Sequence, residues 1–296
     1  MKHLTIILLL LAVSLQSAVW GENPNTGKKG AILMVHFGTT NDKARSTNID
    51  ALNKTVAEAF PEYDVTEAYT SRIVTERLRK RGIEKIYPSD ALEILIHNGY
   101  DSIIVQPSHL LPGAEYEALK EELSAAFGEL PKFGLPLMYS FEDTENLGKI
   151  LASRHGDDEE GVAVVLIGHG SETPSNALYS QIEHQLHSGG HKNFFVATIE
   201  GYPDLDTLIG ELKSNGVRKA KLVPLMLTAG EHFHNDINNE WKVRLEAEGI
   251  GVTTIEEGLG EIPEVREMYV ENIMKVLDGE TKTSSEKKRI FIRENL

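Results

Sequence analysis

Ala31-Ile32-Leu33-Met34-Val35 runs without a polar residue into His36-Phe37-Gly38-Thr39-Thr40, and Val162-Ala163-Val164-Val165-Leu166-Ile167 runs in the same way into Gly168-His169-Gly170-Ser171. A continuous apolar run that stops at a glycine-containing polar loop is the pattern of a parallel strand covered on both faces. The two segments align through Gly38 and Gly170. A second pair follows in the same order: Val105-Gln106-Pro107 to Gly113 aligns with Leu222-Val223-Pro224 to Gly230. Two anchors in one order point to a duplicated α/β unit.

The segments between them alternate. In the first half, helix is expected over 46–59, 72–80, 90–98 (capped by Ser89-Asp90), 115–127 and 144–154, and strand over 64–69, 101–106 and 137–139. In the second half, helix is expected over 175–187, 204–215, after Gly230, and over 262–277, and strand over 193–200, 220–227 and 252–256. Strand and helix in alternation predict an α/β fold of two similar Rossmann-like domains, residues 29–156 and 161–278, with parallel sheets and a cleft between them. Asp157-Asp158-Glu159-Glu160 is the linker, and residues 279–296 form a charged C-terminal tail.

The ends of the chain bear on location. Met1-Lys2-His3 precedes an apolar run from Leu4 to Val13, then the small and polar Ser14, Gln16, Ser17 and Ala18. That is the order of a signal peptide over residues 1–21, cut between Ala18 and Glu22. The run is about half of what a bilayer crossing needs. The expectation is therefore a periplasmic protein with no stable membrane insertion once the leader is removed. Cysteine is absent, so disulfides and thiolate metal sites are excluded and any metal must use His, Asp or Glu. The net charge of -15 argues against a nucleic-acid partner, which would need a clustered basic surface. The basic residues between Lys282 and Arg293 read as a solvated face of the tail.

In open parallel sheets, sites lie beyond the carboxyl ends of the strands. His169, Glu200 and His232 each fall there in the second half. A His, Glu and His set suits a labile divalent ion such as cobalt, iron, nickel or zinc. His234 lies two residues beyond His232 and would leave a helix on a different face, so it is secondary. Glu231 or Asp236 could hold a ring N–H and fix the tautomer, although exposed carboxylates at a helix start have plainer uses. From the first half, Gly38, Thr39 and Thr40 would let a ligand approach backbone amides, and Arg45 or Arg72 would clamp its carboxylates. Ser71 and His109 lie in the same loops, and Glu115 takes the place of His232 in the duplicate. Gly168-His169-Gly170-Ser171 lacks the spaced glycines of a dinucleotide fingerprint and the lysine of a phosphate loop. No serine stands between two glycines as a nucleophile elbow requires.

With these residues in place the sequence resembles the anaerobic cobalt chelatase family, sirohydrochlorin cobaltochelatase, of the class II chelatase superfamily that includes ferrochelatase. The resemblance runs over about residues 29 to 275. It rests on Met34-Val35-His36-Phe37-Gly38-Thr39-Thr40, Gly168-His169-Gly170, Thr198-Ile199-Glu200-Gly201-Tyr202-Pro203 and the run Pro224 to His232. It implies that His169 and His232 match the two catalytic histidines and Glu200 the metal-contacting glutamate. It favours Co2+ over Fe2+ as metal substrate and sirohydrochlorin, or a related tetrapyrrole, as its acceptor. Members of the family are usually cytoplasmic, and the leader departs from that.

Inserting M2+ into a metal-free macrocycle must release two pyrrole protons and strip the ion of water. His232 is the expected general base, with His169 and Glu200 handling the metal. The alternatives are iron insertion into sirohydrochlorin and a periplasmic metal or tetrapyrrole binding protein; turnover separates enzyme from carrier. Haem, a metallated relative of the product, would find an axial ligand in His97 or His109 at a contact between copies of a homo-oligomer. Helix capping and loop packing are the plainer roles for those two.

Overall fold

A computed structural model describes residues 30–156, 159–281 and 284–295. The leader, Asp157-Asp158 of the linker and Lys282 of the tail lie outside the described residues. The first half contains β1 (Gly30–His36), β2 (Tyr63–Tyr69), β3 (Ile103–Pro107) and β4 (Pro131–Phe133), in the order β2-β1-β3-β4. The second contains β5 (Val162–Gly168), β6 (Phe194–Thr198), β7 (Lys219–Pro224) and β8 (Gly251–Thr254), in the order β6-β5-β7-β8. Every pairing is parallel.

The two sheets repeat each other in detail. Val35 stands opposite Pro107 and Ile167 opposite Pro224. Each proline ends its strand, where a missing N–H breaks little of the ladder. Gly38 and Gly170, just past β1 and β5, have φ of 97° and 99°, a left-handed conformation that a side chain disfavours.

In the first half a helical turn (Asp42–Ala44) and a π-helical stretch (Arg45–Asp50) lead into α1 (Ala51–Ala59), followed by α2 (Arg72–Arg79), α3 (Pro88–His97), α4 (Ala114–Phe127) and α5 (Phe141–His155). The second half has α6 (Ala177–Ser188), α7 (Leu205–Ser214), a π-helical stretch (Phe233–Trp241) running into α8 (Lys242–Ala247), and α9 (Pro263–Leu277); α10 (Ser284–Asn295) is the tail. Among the described residues no helix is long and apolar enough to cross a membrane.

The last helix of each half packs on the other half. On α5, Gly148 lies 3.6 Å from Ile182 and Leu186 of α6, measured from where a Cβ would stand. From α9, the Tyr269 hydroxyl donates to Ser108 O at 2.9 Å, Arg266 donates to Thr55 Oγ1 at 3.0 Å, and Lys275 pairs with Asp143 at 3.1 Å. One core therefore includes Met34 and Ile104 from the first sheet, Leu166 and Val223 from the second, and Tyr269 and Ile273 from α9.

Two elements differ from expectation. Leu137 and Met138 are fully buried but form no sheet strand: their N–H groups bond to His109 O and Leu110 O, in the loop after β3, at 3.0 and 2.8 Å. The edge position beside β3 is taken by Pro131–Phe133, since a proline that cannot donate fits an edge strand. Helix α3 starts at Pro88 with Tyr87 as its N-cap, rather than being capped by Ser89-Asp90. A proline is suited to a first helical position, which has no N–H partner to lose.

Candidate active site

The carboxyl ends of both sheets open on one cavity of about 560 Å3. The first half contributes Phe37, Gly38, Thr39 and Thr40 after β1 and Ser108, His109 and Glu115 after β3; the second contributes His169 after β5, Glu200 after β6, and Glu231 and His232 after β7. The backbone brings these ends together. Glu200 N donates to His169 O at 2.7 Å, joining the loops after β5 and β6. This approach requires a glycine at 170, because a Cβ there would lie 2.3 Å from Glu200 O. Gly168 is constrained similarly by Tyr179, whose ring would sit 2.1 Å from an added Cβ. The Gly170 N–H donates to the Tyr179 hydroxyl at 3.3 Å. Burial pushes that hydroxyl up to about 12, so it remains a neutral support for the loop.

His169 and His232 meet edge to face, ring centres 4.9 Å apart. The Nδ1 of His232 lies 2.7 Å from Asp236 Oδ2. A carboxylate accepts, so Nδ1 carries the hydrogen in that contact. Asp236 is four residues on, within the π-helical stretch Phe233–Trp241. Glu231, the other carboxylate expected near the ring, turns away: it meets Arg77 at 3.3 Å and accepts from Thr40 Oγ1 at 3.3 Å, bridging the two halves at the mouth. His234 points elsewhere, 3.8 Å from Glu256, as different helical faces require.

The remaining candidates divide. Gly38 and Thr39 line the cavity. Arg45 and Arg72 are absent from its wall. The Arg45 guanidinium turns back to Asp42 at 2.8 Å, and Arg72 lies over the Tyr87 ring at 4.8 Å. In each case a partner from the same half captures the cation. The arginines that reach the mouth are Arg77, through Glu231, and Arg81, which donates to Thr40 O at 2.6 Å and pairs with Asp42. The signal for Arg77 is helical phase, since Val74, which lines the cavity, lies three positions before it on one face of α2; Arg81 lies beyond the end of that helix, where periodicity gives no direction.

His109 is in the cavity wall, 3.6 Å from Glu115, with both ring nitrogens buried and without a hydrogen-bond partner. His97 is exposed at the end of α3, away from the cavity, so the two histidines considered for haem share no site. Among the described residues, no group of three or more His, Asp or Glu side chains is gathered as a metal cage. A residue missed by sequence reading is His36. It is the last residue of β1 and fully buried, although its place before Phe37-Gly38 reads as the start of a polar loop.

A family profile described as cobalt chelatase (CbiK) matches residues 30–278. The chain belongs to the cobalt chelatase family. It is 34% identical over 258 residues to the sirohydrochlorin cobaltochelatase of Salmonella typhimurium, covering 84% of this chain and 97% of that protein. It is 29% identical over 255 residues to the sirohydrochlorin cobaltochelatase CbiKC of Nitratidesulfovibrio vulgaris, covering 83% and 89%. Among solved structures, SirB from Bacillus subtilis with Fe3+ superposes with a TM-score of 0.62 at 20% identity, over 84% of this chain and 95% of that one. That likeness is one of fold: two parallel sheets flanked by helices around a cleft.

Proposed function

We propose that this cobalt chelatase family member inserts Co2+ into sirohydrochlorin, releasing two protons. The observation that carries the reading is the His169–His232 pair in the cavity between the halves, with Asp236 holding the Nδ1 side of His232. A ring whose Nδ1–H is engaged has one free lone pair, on Nε2, and a neutral imidazole is a base matched to near-neutral pH. His232 then accepts pyrrole protons, and Asp236 stabilises the imidazolium that results. His169 and Glu200, joined through their backbones, take the incoming ion as substrate, replacing its waters stepwise. The volume, about 560 Å3, falls within the range of cofactor-sized pockets. The similarity to two sirohydrochlorin cobaltochelatases supports this choice of acceptor and metal.

The test is turnover. Metallated product must exceed one equivalent per protein, and His232→Ala must abolish it in protein that remains folded by circular dichroism. Stoichiometric binding without turnover would make the protein a metal or tetrapyrrole carrier. Running cobalt and iron in parallel at controlled free concentrations decides the metal, because His and carboxylate ligands suit both.

We also propose that the chain is exported to the periplasm. The supporting feature is the basic start, apolar run and small residues of Met1 to Ala18. Fractionation and N-terminal sequencing test it: cytosolic retention of the uncut chain overturns it.

A further inference from the structure

His36 and its partners take no part in the chemistry above, yet they form a hydrogen-bonded chain, buried at His36 and Ser108 and half-buried at Asn53 and Glu67, that ends on the cavity wall. His36 Nδ1 lies 2.8 Å from Ser108 Oγ, and Nε2 lies 2.9 Å from Asn53 Oδ1. Asn53 Nδ2 in turn donates to Glu67 Oε2 at 2.9 Å, and the other Glu67 oxygen is held by Lys85. The direction of each hydrogen follows from the last link inward. A carboxylate only accepts, so the Asn53 amide nitrogen must face Glu67 and its oxygen must face His36. An amide oxygen only accepts, so His36 Nε2 carries the hydrogen. A neutral imidazole then has its lone pair on Nδ1, and the Ser108 hydroxyl must donate to it. Burial holds the imidazole down at about 4, outweighing the neighbouring Glu67 charge, so the ring stays neutral at working pH. Asn53 is neither acid nor base there, so the chain fixes orientation and conducts no protons.

The consequence falls on Ser108. Its one hydroxyl hydrogen is committed, and what remains on the oxygen is lone pairs. Its backbone is pinned as well: Ser108 N donates to Val35 O at 2.8 Å and Ser108 O accepts from Tyr269 at 2.9 Å. Ser108 lines the first-half wall of the cavity whose second-half wall carries His169 and His232.

We propose that Ser108 Oγ is a fixed hydrogen-bond acceptor for a pyrrole N–H of the metal-free macrocycle, and that His36, Asn53 and Glu67 are the positioning residues that forbid it to donate. The inference rests on the reading of the cavity as a tetrapyrrole site. A metallated ring has lost its N–H groups, so Ser108 discriminates substrate from product and favours product release.

Affinities for metal-free sirohydrochlorin and for its cobalt complex, measured by fluorescence titration, test this. Ser108→Ala should weaken binding of the metal-free ring about fivefold, the equivalent of ~1 kcal/mol for one neutral hydrogen bond, and leave the cobalt complex unchanged. His36→Asn, whose Oδ1 can stand where Nδ1 stood, should keep the wild-type ratio. Equal losses for both ligands, or no loss for either, overturn the assignment. Nitrogen NMR of the His36 ring in the ligand-free protein reads the network directly: an Nδ1–H tautomer refutes it whatever the tetrapyrrole does. If wild-type protein binds neither tetrapyrrole, the tetrapyrrole reading falls and the ligand role of Ser108 falls with it. The tautomer then still reports on the network separately.

Discussion

Acid should destabilise this protein through His36 in a defined window. The imidazole is fully buried between Ser108 and Asn53 and its pKa is held at about 4 against 6.5 for an ordinary histidine. Between those values the unfolded chain binds a proton that the folded chain refuses. Stability is therefore complete above pH 6.5, declines as pH falls toward about 4, and levels off below it. The gap of 2.5 (6.5 minus about 4), at 1.36 kcal/mol per pKa unit, is worth ~3 kcal/mol. That is a large share of the roughly 5–15 kcal/mol that stabilises a typical domain.

His155, also pushed down by burial, adds a fall of the same sign, so the measurement must be a difference. Urea unfolding of wild type and His36→Asn at several pH values from about 7.5 down to about 4 supplies it. The wild-type curve should descend more steeply, and the two should converge by about 3 kcal/mol relative to their separation at neutral pH. Parallel curves would refute the reasoning, because they would mean that His36 takes up its proton in the folded state as readily as in the unfolded one.

Asp236→Asn weakens the hold on His232 Nδ1 and should lower kcat by roughly 10–100-fold with little change in circular dichroism; a wild-type rate would remove Asp236 from the mechanism. Gly170→Ala forces a side chain into a φ of 99° with Glu200 O 2.3 Å from the new Cβ, and should cost about 1–3 kcal/mol. Unchanged thermal stability would show that the loops after β5 and β6 are not locked together. Tyr269→Phe removes a buried bond between α9 and Ser108 and should cost about 1 kcal/mol in denaturant unfolding, a loss that would be absent if α9 were merely draped on the first half. Protein purified from haem-replete cells should reveal a Soret band sensitive to His97→Ala or His109→Ala if haem binds through either; a spectrum without that band excludes it.

Much of this protein could be read in the chain itself because the relevant signals are local. Ala31–Val35 and Val162–Ile167 are apolar throughout because strands covered on both faces leave no position for a polar side chain. Gly38 and Gly170 mark the same left-handed turn in each half, and the carboxyl ends of parallel strands put His169, Glu200 and His232 on one crevice. Tertiary structure decided what a cation or a carboxylate at the rim does. Arg45 and Arg72 could be placed near a loop but not aimed; Asp42 and the Tyr87 ring captured them, leaving Arg77 to meet Glu231 from the opposite half. It also decided that Leu137 and Met138 bury themselves against a loop, and that α5 and α9 exchange partners between the halves. His36 shows the physical reason most plainly. A histidine that ends an apolar strand looks like the first residue of a polar loop, and only the approach of Ser108, Asn53 and Glu67 from three other segments turns it into a buried, neutral group with one allowed tautomer. Periodicity records which face of an element is apolar, whereas the partner of each polar group is set by chain segments distant in sequence.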